Sequence, residues 1–264
     1  MAVTLASSSS SPTERILVLC RATPEESSKY FETVCCAGVT DANQLRRLYP
    51  VPFKPTVAGG GIPFHKKQWI EAKTGPPDDK RDKRRESRKI DMQSVKSLDR
   101  ISDQEVYNTI RPLIAPSVKS LDDAGASLGI TEPKILDYKI DILDTDLVDD
   151  QLQLTVDGYL APKGKVKLGQ ESKYFFECED KPHCWCANQP HQMIILDWEV
   201  NELYRHVISK TQDYSEIRAK MRERMFKFMK VRNTFFMLGT HHRWKNWMVI
   251  AILYLSGKLS EPLF

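Results

Sequence analysis

The sequence predicts an α+β protein, in which an N-terminal β-rich module, a small sheet or partly closed barrel, precedes a C-terminal module of a cysteine-histidine loop, two helices and a β-hairpin. Three observations predict it. Short apolar runs bounded by turn residues dominate residues 15–75. Between Cys178 and His191 the chain reads C-E-D-K-P-H-C-W-C-A-N-Q-P-H, so three of its six cysteines fall within fourteen residues. Beyond that loop, apolar residues recur first at helical spacing and then in two unbroken runs.

The opening MAVTLASSSSSPTE has neither a basic stretch nor an apolar one and reads as a disordered tail over residues 1–14. Ile16 to Arg21, Thr33 to Val39, Gln44 to Tyr49 and Gln68 to Lys73 read as strands, with a turn at residues 40–43. Pro50, Pro52 and Pro55 end the third strand, since proline donates nothing to a ladder. From Pro76 to Lys89 the run PPDDKRDKRRESRK carries seven basic and four acidic residues and no apolar side chain, which predicts a solvated linker within a connecting segment over residues 76–102.

Residues 103–170 read as a helix and acidic strand region. Asp103 is placed as the cap of a helix reaching Ile114, with Val106, Ile110 and Leu113 on one face and Pro112 bending or ending it. Lys134 to Leu143 and Gln151 to Val156 read as strands in acidic surroundings. Residues 171–264 form the last unit. Its helices are expected over Ile194 to Ile208 and Tyr214 to Val231, the second showing Ile217, Met221, Met225 and Phe228 on one face and Lys220, Arg224 and Lys227 on another. Asn233 to Gly239 and Trp247 to Leu255 then flank the connector THHRWKN in a hairpin with a wide loop.

Composition narrows the function. At 264 residues and 41% hydrophobic content the chain can bury one large core or two modest ones. The longest apolar run, Trp247 to Leu255, is about half a membrane span, so a soluble cytoplasmic protein without a membrane partner is expected. Cys20, Cys35 and Cys36 lie in strand-like runs, and adjacent cysteines are poorly placed for disulfides. A net charge of only +4 means that any nucleic-acid reading must come from where the charge sits.

Soft thiolates and imidazoles at close spacing, in a loop broken by Pro182 and Pro190, point to tetrahedral zinc held by Cys178, Cys184, Cys186 and His191. Four protein ligands would make the ion structural. A C-x-C pair cannot always supply both thiolates to one ion without strain, so His183 is the alternative to one of these ligands. From His206 onward eleven Lys and Arg stand against four Asp and Glu, so Lys220, Arg224, Lys227, Arg243, Trp244 and Lys245 are the candidate nucleic-acid-binding residues.

His241, His242 and Arg243 are the candidate catalytic residues of a metal-dependent nuclease. Asp137, Asp141, Asp144, Asp146, Asp149 and Asp150 are a possible Mg²⁺ set for it. Asp197 and Glu199 suit a helix start. Gly59-Gly60-Gly61 lacks the Lys-Ser or Lys-Thr of a phosphate loop, and no hydrolase, metalloprotease or dinucleotide signature is present. The expected function is a nucleic-acid-binding accessory protein with a structural zinc site, in genome defence or nucleic-acid processing. A nuclease and a protein-interaction subunit are the alternatives.

The landmarks ILVLC, ETVCCAGVT, RRLYPVPF, KKQWIEA, the cysteine-histidine loop, ILDWE, LYRH and FFMLGTHHR…WMVIAILY, in that order, resemble an uncharacterised prokaryotic family of hypothetical proteins over most of Arg15 to Leu255. The resemblance implies no activity, cofactor or catalytic residue. In that family the loop is shorter, with two cysteines ahead of a glycine-histidine pair. Here Pro190 precedes His191 and a third cysteine is present, which leaves open whether Cys184 or Cys186 is the ligand.

Overall fold

In the computed structural model, which describes residues 11–27, 31–53, 61–77, 82–143, 169–241, 245–257 and 259, the N-terminal apolar runs pair into a barrel. Its strands are β1 (Thr13–Arg21), β2 (Glu25–Ser27), β3 (Phe31–Thr40), β4 (Leu45–Pro52), β5 (Gln68–Gly75), β6 (Ser87–Ile90) and β7 (Lys96–Arg100). β1 pairs with β3 on one side and β5 on the other, β3 pairs with β4, β4 runs parallel to β6, and β6 pairs with β5. Counting β1, β3, β4, β5 and β6 as strands one to five, the order is 1-2-3-5-4-1, that of the OB-fold Greek-key barrel. The expected small sheet or partly closed barrel is thus a ring of five paired strands. The segment expected to connect over residues 76–102 supplies β6 and β7, so the basic run is a loop inside a barrel rather than a linker. Thr13 and Glu14, expected in the tail, already belong to β1.

The chain leaves this barrel through α1 (Asp103–Ile110). Ser102, not Asp103, is its cap. The Ser102 hydroxyl accepts from Glu105 N at 3.3 Å and the Glu105 carboxylate accepts from Ser102 N at 2.9 Å, which frees Asp103 to hold Lys67 and the backbone of Ser256. Pro112 sits in a 3₁₀ turn, Arg111–Leu113, after the helix has ended.

Next come β8 (Ile114–Ala115), α2 (Val118–Asp123), β9 (Leu128–Thr131), β10 (Lys134–Ile142), β11 (Gln170–Glu177) and β12 (His191–Ile194). α3 (Trp198–Ile208) and α4 (Tyr214–Arg222) follow, the latter running into a π-helical stretch at Glu223–Phe228. β13 (Asn233–Thr240) and β14 (Trp247–Leu255) form the expected hairpin. The helix expected from Ile194 starts at Trp198, because Asp197 caps it and the residues before it are strand. The strand expected at Gln151 to Val156 lies outside the described residues.

These strands repeat the first topology. β9 and β10 are one run broken at Glu132-Pro133. β9 pairs with β13 and β10 with β11, β11 pairs with β12, β12 continues to a parallel bridge between Ile195 and Val249 of β14, and β14 pairs with β13. The order is again 1-2-3-5-4-1, with α3 and α4 between strands three and four.

Three apolar clusters explain the unbroken runs. Ile16 and Val18 fill the first barrel with Val34, Leu48, Phe64 and Ile70. Phe236, Leu238 and Val249 join Tyr174, Phe176 and Met221 inside the second. Leu17 and Leu19 meet Phe235, Met237 and Leu253 between the two barrels. Strands buried on both faces need apolar residues at every position, and fully burying each such side chain contributes about 1.5–3 kcal/mol. The junction also holds a buried ion pair. Lys66 Nζ lies 2.9 Å from Asp197 Oδ2 and 3.1 Å from Glu199, and the same Asp197 oxygen accepts from Ile252 N at 2.7 Å.

Candidate metal centre and basic loops

The cysteine-histidine loop leaves β11 after Glu177, makes 3₁₀ turns at Lys181–His183 and Trp185–Ala187, and re-enters the barrel at His191, the first residue of β12. This path brings one ligand atom from each of Cys178, Cys184, Cys186 and His191 within 4.8 Å of all the others. Cys184 Sγ is 3.8 Å from Cys178 Sγ and 3.2 Å from His191 Nε2. A tetrahedral zinc ion with ordinary bond lengths separates two sulfurs by about 3.8 Å and a sulfur from a nitrogen by about 3.5 Å, so the donor set fits.

Both members of the C-x-C pair belong to the cluster. The His183 side chain is 81% exposed and its Nδ1 sits 2.7 Å from Asp180, away from the cluster. Backbone N–H groups supply an outer shell, Val118 to Cys178 Sγ and Cys178 to Cys186 Sγ, each at 3.4 Å. Burial depresses the His191 imidazole, keeping it neutral and able to ligate. Burial pushes the Cys178 and Cys186 thiols up, whereas at Cys184 the N–H groups of Cys186 and Lys119 outweigh burial and pull the thiol down.

The two basic loops flagged by the sequence occupy one topological position, the connection between strands four and five, in each barrel. In the first, Asp82 accepts from Arg84 Nε and Nη2, both at 2.8 Å, and Glu86 accepts from Ser127 N at 3.1 Å and Oγ at 2.7 Å. Both acids are thereby turned inward, while Lys83 and Arg85 are exposed. Burial works against the Asp82 charge, but its bonds to Arg84 prevail and hold the carboxyl at about 2. The loops meet. Arg84 Nη1 donates to Thr240 O at 2.9 Å, where the second loop begins, and Thr240 N donates to Ser127 O at 3.0 Å. Buried Arg47 binds Ser127 O at 2.7 Å and Oγ at 3.1 Å beneath them. No sequence signal marked Arg47, Ser127 or this junction.

Of the second loop, His241 N donates to Asn246 O and Lys245 N to His241 O, both at 3.2 Å, and Lys245 is exposed with φ 54°. His242, Arg243 and Trp244 lie outside the described residues, as do Asp144, Asp146, Asp149 and Asp150. Asp137 pairs with Arg222 at 2.6 Å, and Asp141 is exposed on β10.

The helical cations sit elsewhere. Lys220 pairs with Glu216 and Lys227 with Glu223, each at 2.7 Å, and Arg224 lies 3.7 Å over the Phe228 ring. Strand β13 runs from the end of this helix to the loop, a span of about 24 Å at strand rise. In the chain, β13 separates the helical cations from Lys245.

Residues 12–116 match the family model described as domain of unknown function DUF8758, and residues 166–263 match domain of unknown function DUF8757. The DUF8758 stretch contains the first barrel and α1, and the DUF8757 stretch contains the metal loop and strands two to five of the second barrel. No curated protein matches the chain.

Among solved structures, the chain is similar to the tetrameric p202 HIN2 at 7% identity and a TM-score of 0.31, covering 94% of each chain. It is similar to a murine DNA binding protein bound with double-stranded DNA at 11% identity and a TM-score of 0.32, covering 96% of this chain and 98% of the other. A replication protein A heterotrimer bound to single-stranded DNA matches at 10% identity and a TM-score of 0.27, over 95% of this chain and 67% of the other. At such scores these likenesses carry no weight, and the two barrels are defined by their strand pairing alone. Among the described residues, no helix is long and apolar enough to cross a membrane.

Proposed function

We propose that this chain binds nucleic acid across the paired basic loops of its two barrels, with Cys178, Cys184, Cys186 and His191 holding a structural zinc. The observation that carries the reading is the sorting of charge in the first loop, where Asp82 is held by Arg84, Glu86 is turned inward onto Ser127 with Arg85 Nε also on it at 3.3 Å, and the exposed side chains are those of Lys83 and Arg85. The described part of the loop, residues 82–86, thus presents positive charge. Lys245 and, in the sequence beside it, Arg243 add cations, and Trp244 supplies a ring on which a base can stack. OB-fold barrels often bind oligonucleotides through this same connection, which is an argument by analogy and secondary to the charge placement. The zinc ion would tie the β11–β12 connection down without an open coordination position. Such a binder, with no chemistry of its own, fits an accessory role in nucleic-acid processing or genome defence.

Fluorescence anisotropy with labelled single- and double-stranded 20-nucleotide probes across a salt series tests this. The triple variant Lys83→Glu, Arg85→Glu, Lys245→Glu should weaken binding at least about tenfold and lower the salt slope by about 2–3. Lys220→Glu, Arg224→Glu, Lys227→Glu should change it little, because two of those cations already pair within the helix. Unchanged affinity in the loop variant refutes the reading, and loss only in the helix variant transfers the interface to α4. Probe cleavage in Mg²⁺ or Mn²⁺ would instead favour the nuclease.

A further inference from the structure

The acids of the first loop do more than remove negative charge from its surface. Glu86 reaches across to Ser127, the residue just before β9 of the second barrel, and binds both its N–H and its hydroxyl. Ser127 in turn accepts from Thr240 N and from Arg47, while Arg84 fixes Thr240 O from the other side. Five residues from four separate stretches of the sequence therefore tie the bases of both basic loops to one point, and the Glu86 side chain is only 8% exposed.

We infer that Glu86, Ser127, Arg47 and Arg84 form a clamp that orients the two loops together, so that a single nucleic-acid strand is gripped by both barrels at once. The inference rests on the nucleic-acid reading above and adds to it that the ligand must be long enough to span the loops. Two weak contacts made by one rigid body act together, because engagement of the second loop becomes intramolecular once the first is bound. Orientation fixed in advance also avoids ordering the loops on binding. The clamp residues are positioning residues and need not touch the ligand.

Charge and clamp predict opposite signs for one substitution. Glu86→Ala raises the net charge by one, removes no cation and releases Arg85 from its 3.3 Å pair with Glu86, so electrostatics alone predicts equal or tighter binding. The clamp predicts that affinity for a single-stranded 20-nucleotide probe falls about tenfold. It also predicts a shallower dependence of log K on log salt, since one loop no longer reaches the strand. A loss of folded protein that is the same at every salt concentration leaves that slope unchanged. Arg84→Lys is the second variant. It keeps the charge but cannot bridge Asp82 and Thr240 in the same fork, and should show the same loss with a smaller amplitude. Unchanged or tighter binding in both variants, with the wild-type slope, overturns the clamp while leaving the binding reading intact. No binding by the wild-type protein removes both.

Discussion

Asp197 joins the two barrels through three groups at once, and its removal gives a quantitative test of how firmly they are held. Its Oδ2 takes Lys66 Nζ at 2.9 Å and Ile252 N at 2.7 Å, and its Oδ1 caps α3 by accepting from Glu199 N at 3.0 Å. The side chains of Asp197 and Lys66 are 2% and 8% exposed. Burial pushes the Asp197 carboxyl up against the pull of Lys66. At Lys66 burial opposes the charge, but Asp197 and Glu199 prevail and hold it above the usual lysine range. Asp197→Ala loses a cap, about 1 kcal/mol, and breaks a buried pair, about 3–5 kcal/mol, toward the low end because Glu199 still faces Lys66.

Because the losses share one side chain they are not additive, and a total of about 4–5 kcal/mol is expected, a large part of the ~5–15 kcal/mol that holds a native protein. Melting should fall by about 10–15 °C. Urea unfolding followed by tryptophan emission is a direct assay, since Trp198 packs edge-on against Phe53 of the first barrel at 5.0 Å. Asp197→Asn keeps an acceptor for the cap and should lose about 3 kcal/mol, and Glu199→Gln, half exposed, less than about 1 kcal/mol. Should Asp197→Ala and Glu199→Gln unfold at the same urea concentration, the buried pair is not what couples the barrels.

Elemental analysis should find about one zinc per chain, lost in Cys184→Ser and in His191→Ala and retained in His183→Ala. Asp103, where bonds from Lys67 and Ser256 prevail over burial to hold the carboxyl at about 2, contributes stability that is present above the ordinary aspartate range. That contribution is lost as pH falls from about 4 to about 2, and an acid titration of Asp103→Asn should lack that part of the decline. Gly38→Ala would place a Cβ 2.1 Å from the Leu17 carbonyl oxygen in the β1–β3 wall, where backbone must move, and should destabilise by about 3 kcal/mol in the same urea assay.

Local signals were readable and distant ones were not. The cluster of Cys178, Cys184, Cys186 and His191 was legible because one loop supplies all four residues, so no tertiary information was needed. Strands β1, β3, β4 and β5 and the C-terminal hairpin were legible as short β-rich runs, whereas β2 was not foreseen, and the lack of alternation in β1, β13 and β14 reflects burial on both faces. The second barrel was hidden by its weakest strands. Glu132-Pro133 splits its first strand, QESKYFFE carries little apolar alternation, and HQMI merges with the helix pattern that follows. β6 reads SRKI at the end of a charged run, with one apolar residue to betray it. The clamp was beyond sequence reasoning altogether, because it assembles Arg47, Arg84, Glu86, Ser127 and Thr240 from four separate stretches.

The cysteine-histidine cluster and the clamp are also connected. Val118 N, the first N–H of α2, donates to Cys178 Sγ, and Asp180 N donates to Pro116 O just before it. α2 then seats Leu121 against Gly129, so tightly that a Cβ there would lie 2.4 Å from Leu121, and the chain reaches Ser127 four residues after the helix ends. A loosened cysteine loop therefore frees the N-terminus of the element that delivers Ser127 to Glu86 and Arg47. Chelated protein should consequently bind the 20-nucleotide probe more weakly, with the shallow salt slope of Glu86→Ala, although no basic residue has been touched. Combining chelation with Glu86→Ala should add little, because both act at Ser127. Full additivity of the two losses would show that the zinc loop acts elsewhere, and an unchanged slope on chelation would confine it to stability.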